Sequence, residues 1–403
     1  MKLAGDRPSD VRSSLVAGAV AGAYSPNMTI RSRPAPEALE FFAGGGLAGL
    51  GLSGFDVTFA NDIDAMKAAA WRANHLGRLH EGDVWDLTAA DVPGRPTLAW
   101  ASSPCQDVSL AGARAGLGAR RSGAFWGFWR LMQALDAEGR APPIVVIENV
   151  VGLLTSGGGE DFATVCRAMA EAGYRVGALE MDAALWLPQS RPRLFIVAMR
   201  GVTGATAVGP VDPFHCARIR AAQSQLDEAT RAAWAWWSLA APARRNVHLA
   251  DLLDADDAVG WFSAEQTRDL VALASPLHRQ RLEAAAASGE RRVAAAYRRV
   301  RVEAGRKVQR LELRFDGLAG CLRTPAGGSS RQYVIVAENG RVWARRLTAR
   351  EAARLMGLSE DYRLPASESA GLKLMGDAVA VPVVRALSEG LLLPASLGER
   401  VAA

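Results

Sequence analysis

Cysteine is scarce in this chain of 403 residues: there are four, Cys105, Cys166, Cys216 and Cys321, with no CxxC pair and no Cys/His cluster. That spacing excludes the usual zinc modules, and no metal site is expected. Four scattered thiols make no disulfide framework either, which fits a reducing cytoplasm. Lysine is scarcer than its total with arginine suggests, because 43 of the 47 basic residues are arginine. A bias of that size gives any single arginine little functional weight. Long apolar runs are also missing. No window offers the roughly 18 consecutive strongly apolar residues of a membrane span. The early stretch SSLVAGAVAGAYS follows basic residues as a secretory signal would, yet Ala and Gly leave its middle weakly hydrophobic. Residues 1–36 are therefore expected to be a flexible tail, with Met28 an alternative start.

What is present is a hydrophobic fraction of 49%, enough for a large core, and a net charge of +5 that permits an anionic partner. The length favours two or three domains. From Glu37 to about Met199, apolar runs alternate with helical patterns. ALEFFAGGG, FDVTFAND, PTLAWASSPC, PPIVVIENV and RLFIVAM read as strands; DAMKAAAWRANH, GAFWGFWRLMQALDAEG and EDFATVCRAMAEAG read as helices. This is the βαβ signature of a mostly parallel, doubly wound α/β sheet covered on both faces. The alternation stops between about 204 and 322, a segment with a tryptophan group (Trp234, Trp236, Trp237) and a basic stretch from Arg291 to Arg314 around Tyr297. That stretch reads as a solvated helix followed by a strand.

Ligands of such sheets bind where the strands end. The first strand runs into Gly44, Gly45 and Gly46, which allow close backbone approach to a nucleotide-like ligand. The second ends at Asp62, 18 residues after Gly44, where an acid can take both ribose hydroxyls. Asp83 follows a short turn and suits an adenine amino group. Another run ends in Pro104-Cys105-Gln106, and the next in Glu148-Asn149-Val150, an acid that is costly to bury without partners. Neighbouring strand ends would bring thiol and carboxyl into one pocket.

With PCQ, ENV and QSRPR (Gln189 to Arg193) in that order, and a variable segment of about 120 residues after them, the chain resembles the bacterial cytosine-C5 DNA methyltransferases from about Glu40 to Leu392. The resemblance implies a class I S-adenosylmethionine methyltransferase sheet with a smaller target-recognition domain. It divides the chain into the tail, a catalytic and cofactor-binding domain (37–203), a target-recognition domain (204–345), and a hinge with a C-terminal helix returning to the catalytic domain (346–403). Cys105 would attack C6 of a flipped-out cytosine, Glu148 would hold N3 and the amino group, and Arg191 and Arg193 would serve the base O2, the phosphate and Glu148. S-adenosylmethionine, leaving as S-adenosylhomocysteine, would touch Phe42, Ala43, Gly44, Gly46, Asp62, Ile63, Asp83, Val84, Pro104, Asp377 and Ala378. A lid after the nucleophile would bring Gln106, Ser109 and Arg121 to double-stranded DNA, and the basic stretch would add Arg298 and Arg299. A monomer at the nucleoid, away from membranes, follows.

The chain departs from the family pattern at Glu40, where Asp is usual, at Leu47 for a second glycine, at Ile63 for an aromatic residue, and at Asp377 for Asn. Asp377 is expected either to sense the cofactor's sulfonium or to cap the last helix. Two other functions compete: methylation of RNA cytosine, by a branch that lacks a long variable segment, and a non-catalytic relative that only binds cofactor or DNA.

Overall fold

The computed structural model describes residues 2–3, 34–104, 123–201, 205–324 and 331–398. The chain divides into two compact units, each gathered from separate stretches: a larger one from 36–248, 319–328 and 348–403, and a smaller one from 1–35, 249–318 and 329–347.

The larger unit is built on seven strands: β1 (Glu37–Phe41), β2 (Asp56–Asp62), β3 (Arg78–Glu81), β4 (Leu98–Ser102), β5 (Ile144–Asn149), β6 (Arg175–Asp182) and β7 (Pro192–Met199). Their order is β3-β2-β1-β4-β5-β7-β6. All pairings are parallel except those of β7, which runs antiparallel to both β5 and β6. The central strands are apolar because both faces are covered; every residue of β5 is buried. Helices α1 (Leu47–Gly51), α2 (Ala65–Asn74), α3 (Ala124–Ala137) and α4 (Glu160–Glu171) cover them. In α3, Phe125, Phe128, Trp129, Met132 and Leu135 share one face and enter the core, where Phe128 meets Phe41 edge-on at 5.1 Å. The five strands and three helices expected between Glu37 and Met199 are all found. Two further strands, β3 and β6, have too little apolar character (RLHE, RVGALEMD) to stand out.

The unit boundary lies beyond His248 rather than at residue 203, and the cause is an exposed sheet edge. β6 is the outermost strand, so its backbone needs cover. The tryptophan segment supplies it: the Val176 amide donates to the Ala233 carbonyl at 3.0 Å, Ala235 returns a bond to Val176 at 2.8 Å, and the Trp237 indole donates to Val197 at 2.9 Å. Residues 205–248 thus pack with the sheet they follow. At the far end, the helical run Glu368–Leu397 is long and apolar enough to cross a membrane by composition, with mean hydropathy 1.5. A search for unbroken apolar runs passes over it. Just over half of its most apolar part is buried inside the protein.

The smaller unit holds a sheet in the order Lys2–Leu3, Arg341–Arg346, Gln332–Glu338, Arg292–Glu303, Arg306–Arg314. Helices Ala264–Ala272 and Pro276–Ala287 cover it with Leu270, Val271 and Leu282 over Ala294, Ala296, Leu311 and Leu313. Two expectations change. Lys2–Leu3 is not tail but a strand paired in parallel with Arg341–Val342, since a sheet edge recruits backbone whatever its side chains. The basic stretch is a hairpin rather than helix then strand, turning through Ala304 and Gly305, both with positive φ. The alternation in RKVQRLELR is its signature.

Gly177 sits where β6 meets the tryptophan segment, and a Cβ there would lie 2.0 Å from the Ala235 carbonyl oxygen. Gly177→Ala should therefore destabilise the protein by about 2 kcal/mol, read by urea unfolding. An unchanged midpoint would mean that the segment does not pack on β6.

Candidate active site

The strand order reverses between β1 and β4, and the loops leaving their carboxyl ends diverge. A cavity of about 810 Å³ opens there, a size typical of small-molecule sites. Its wall takes Phe42, Ala43 and Gly44 after β1, Asp62 and Ile63 at the end of β2, Asp83 and Val84 after β3, Pro104 after β4, Glu148 on β5, Arg193 on β7, and Asp377 and Ala378 from the C-terminal stretch.

At one pole, Glu148 is buried and its Oε1 lies 3.1 Å from the Arg193 Nε. The ladder fixes this meeting, with Glu148 beside Ser102 of β4 and Phe195 of β7. Asn149 turns back to donate to the Ser103 carbonyl at 3.1 Å, tying the end of β5 to the segment that leads into Pro104. Cys105, Gln106, Ser109 and Arg121 lie outside the described residues. Of the three described cysteines none lines the cavity, and burial pushes the Cys166 thiol up, which makes it inert.

At the other pole, carboxylates at successive strand ends are separated by the apolar side chains of Phe42, Ile63 and Val84, a set that fits a nucleoside: acids for its hydroxyl and amino donors, apolar walls for its base. Asp62 accepts from the amides of Gly44 and Asp64, both at 2.8 Å, which joins the β1 and β2 ends. Asp83 accepts from Trp85 N at 3.0 Å and caps a short 3₁₀ turn. Two expected residues fall elsewhere. Gly46 does not line the cavity; it packs over the His75 ring, which a Cβ would strike at 2.0 Å. Arg191 is also absent from the wall. Its guanidinium is buried and donates to the carbonyls of Leu322 (2.8 Å), Gly376 (3.0 Å) and Ala378. It positions chain rather than substrate.

Asp377 is neither the cap nor the lone charge expected of it. The last long helix is capped at Ala380, and Asp377 ends the preceding helix, Glu368–Asp377. Its carboxylate pairs with Lys67 at 2.8 Å and accepts from the Thr324 hydroxyl. With an ammonium that close, it offers a sulfonium the field of a dipole, which is far weaker than that of a free charge. Lys67 was missed from the sequence. Its signal was a lysine three residues after Asp64, among only four lysines in the chain.

A family model for C-5 cytosine-specific DNA methylase matches residues 37–392. Type II methyltransferase M.NlaX of Neisseria lactamica is 24% identical over 87% of this chain and 94% of its own length. M.HaeII of Haemophilus aegyptius, also a Type II methyltransferase, is 24% identical over 90% of this chain and 94% of its own. The crystal structure of S. pombe Dnmt2 methyltransferase superposes with a TM-score of 0.56 at 19% identity, over 89% of this chain and 99% of that one, which supports the class I methyltransferase fold. The fold is that of a methyltransferase; the chain belongs to the C-5 cytosine-specific DNA methylases. It is a DNA (cytosine-5-)-methyltransferase.

Beneath the cavity, Glu40 is buried and its pKa is pushed up to about 7, chiefly by burial, with the Gly49 amide and the Trp71 indole opposing. Gly49 N donates to it at 2.8 Å, and a Cβ on Gly49 would meet the carboxylate at 2.7 Å, so the longer acid needs glycine opposite. Because the folded pKa lies above the unfolded one, the folded state holds the extra proton. Stability is therefore full below about pH 4.5 and falls as pH rises to about 7, by roughly 3 kcal/mol. Glu40→Gln should flatten that slope in urea unfolding across pH 4 to 8; an identical slope would show that Glu40 ionises as an ordinary surface acid.

Proposed function

We propose that this enzyme methylates C5 of a cytosine flipped out of a specific duplex DNA sequence, through a covalent bond to Cys105 and with S-adenosylmethionine as methyl donor. The observation that carries the reading is the one cavity in which Glu148, gripped by Arg193, shares a wall with Pro104, the residue immediately before Cys105 in the chain.

The target must leave the stack because neither C6 nor N3 is reachable inside a duplex. Cys105, as thiolate, forms a bond to C6, and the electron pair displaced from the C5–C6 bond makes C5 nucleophilic. Glu148, with Arg193 fixing its orientation, hydrogen-bonds N3 and the amino group and gives N3 a proton as the negative charge develops. Asp62, Asp83 and the apolar residues between them would hold S-adenosylmethionine, which would supply the methyl group to C5 while its sulfur keeps the electron pair of the broken S–CH3 bond. C5 then loses its proton to a base, the C6–S bond breaks to release the thiolate, and N3 returns its proton to Glu148, which restores the aromatic ring. Pro104 restricts the backbone at the thiol.

A duplex with 5-fluorocytosine at the target should trap a denaturant-stable complex, since fluorine does not leave C5 as a proton does. Cys105→Ala should abolish both trapping and turnover. An adduct formed by the alanine variant would end the assignment.

Sequence specificity is assigned to the expected 204–322 segment, narrowed here to the smaller unit, with the basic hairpin at the phosphates. The expected pair Arg298 and Arg299 cannot act together, since successive strand residues point to opposite faces. Arg298 lies over the Tyr333 ring at 5.6 Å, on the core side. Arg299 faces the other way with Arg301 and Glu312. Arg299→Ala should lower the salt slope of DNA binding by about 0.9, the value of one phosphate contact, and the double variant should lower it no further. A drop near twice that size would restore both residues to the interface, and no drop would remove the hairpin from it. The enzyme acts as a monomer in the cytoplasm, at the nucleoid where its substrate lies.

A further inference from the structure

Two ion pairs join helix α2 to the helix Glu368–Asp377. Lys373 lies 2.7 Å from Asp64 Oδ2, while Asp64 Oδ1 accepts the α2 amides of Met66 and Lys67. Both oxygens of Asp64 are thus engaged in holding structure. The second pair, Lys67 with Asp377, differs. Both residues line the cavity, with side chains 19% and 34% exposed, and one carboxylate oxygen of Asp377 is held by Thr324 while the other takes Lys67.

We propose that Lys67 and Asp377 form the receptor for the zwitterionic amino-acid end of the cofactor, opening their mutual pair so that Lys67 takes the α-carboxylate and Asp377 the α-ammonium. This rests on the cofactor reading above. Charge carries the argument. An adenosyl sulfur cofactor ends in adjacent opposite charges, and among the described residues the wall offers two cations, Lys67 and Arg193. Arg193 is held by Glu148 at the base pole, which leaves Lys67 for the carboxylate. The exchange gains an ion contact: one pair inside the protein opens and two form with the ligand. Partial exposure makes that opening cheap, since pairs in contact with solvent are weak. Lysine suits the task because a compact ammonium on a flexible stem can turn from one oxygen partner to another, which a planar guanidinium fork does less readily. In a chain so poor in lysine, that choice stands out from the compositional bias. The pair also has no net charge, so it recognises the end common to substrate and product without favouring the sulfonium.

The test is calorimetric and needs no turnover. S-adenosylhomocysteine is compared with 5′-methylthioadenosine, the same nucleoside thioether without the amino-acid end, on the full chain. Lys67→Met and Asp377→Ala should each weaken S-adenosylhomocysteine about tenfold, as expected for one charge-assisted contact, and leave methylthioadenosine within about twofold. Lys67→Arg should recover most of the loss. Equal losses for both ligands in variants with unchanged melting temperature, or no loss for either, overturn the proposal. If the wild type binds neither ligand, the cofactor reading itself fails, and that outcome is separate because methylthioadenosine never meets the proposed receptor.

Discussion

The buried guanidinium of Arg191 is the contact on which the site's architecture turns. A charge taken out of water is costly unless hydrogen bonds compensate it, and here the two terminal nitrogens donate to main-chain carbonyls of Leu322, Gly376 and Ala378, while Nε is buried without a partner. Burial, with Arg193 nearby, lowers its pKa to about 10, so it stays charged at neutral pH. Gln189, two residues earlier, bonds in the same way: its side-chain amide donates to Leu355 and accepts from Leu322. Together they fasten the C-terminal stretch against β7. One wall of the cavity, from Leu374 to Val379, is placed by that fastening.

Two arginines of QSRPR separated by a single proline therefore have different work. Arg193 faces the cavity and grips Glu148, whereas Arg191 faces away into the joint. Strand alternation would put residues two apart on one face, and they differ because Arg193 lies within β7 whereas Arg191 precedes its first residue, Pro192. This also explains how a motif in a single short stretch can govern both the base pole and the closure of the fold.

Much of this was legible in the sequence because the larger unit is a parallel sheet buried on both faces. Continuous apolar runs such as IVVI announce themselves, and the residues that stop them are the residues of the cavity. Phe42, Asp62 and Glu148 were accessible in this way. Three kinds of feature were not. Edge strands, β3 and Lys2–Leu3, are made by backbone pairing and leave little mark in side-chain hydropathy. Contacts between residues far apart in the chain, such as Lys67 with Asp377, have no local signature. The side on which a residue lies in a polar strand, which separates Arg298 from Arg299, became clear only once the basic stretch proved to be a hairpin. The tryptophan segment shows a related difficulty: its boundary was drawn where the alternation stops, but its role is to cover the edge of the sheet before it.

The larger unit is discontinuous: its sheet is finished by Met199, yet a wall of its cavity comes from residues beyond 370. During synthesis the chain leaves the ribosome from its N-terminus at about 5–20 residues per second. The strands that carry Glu148 and Arg193 emerge well before the stretch that closes the pocket, and most of the smaller unit, 249–318 and 329–347, is made in between. A nascent chain thus holds reactive groups before it holds a binding site. Methylation competence waits for that stretch to be made, and a chain cut short before it leaves the cavity open on one side.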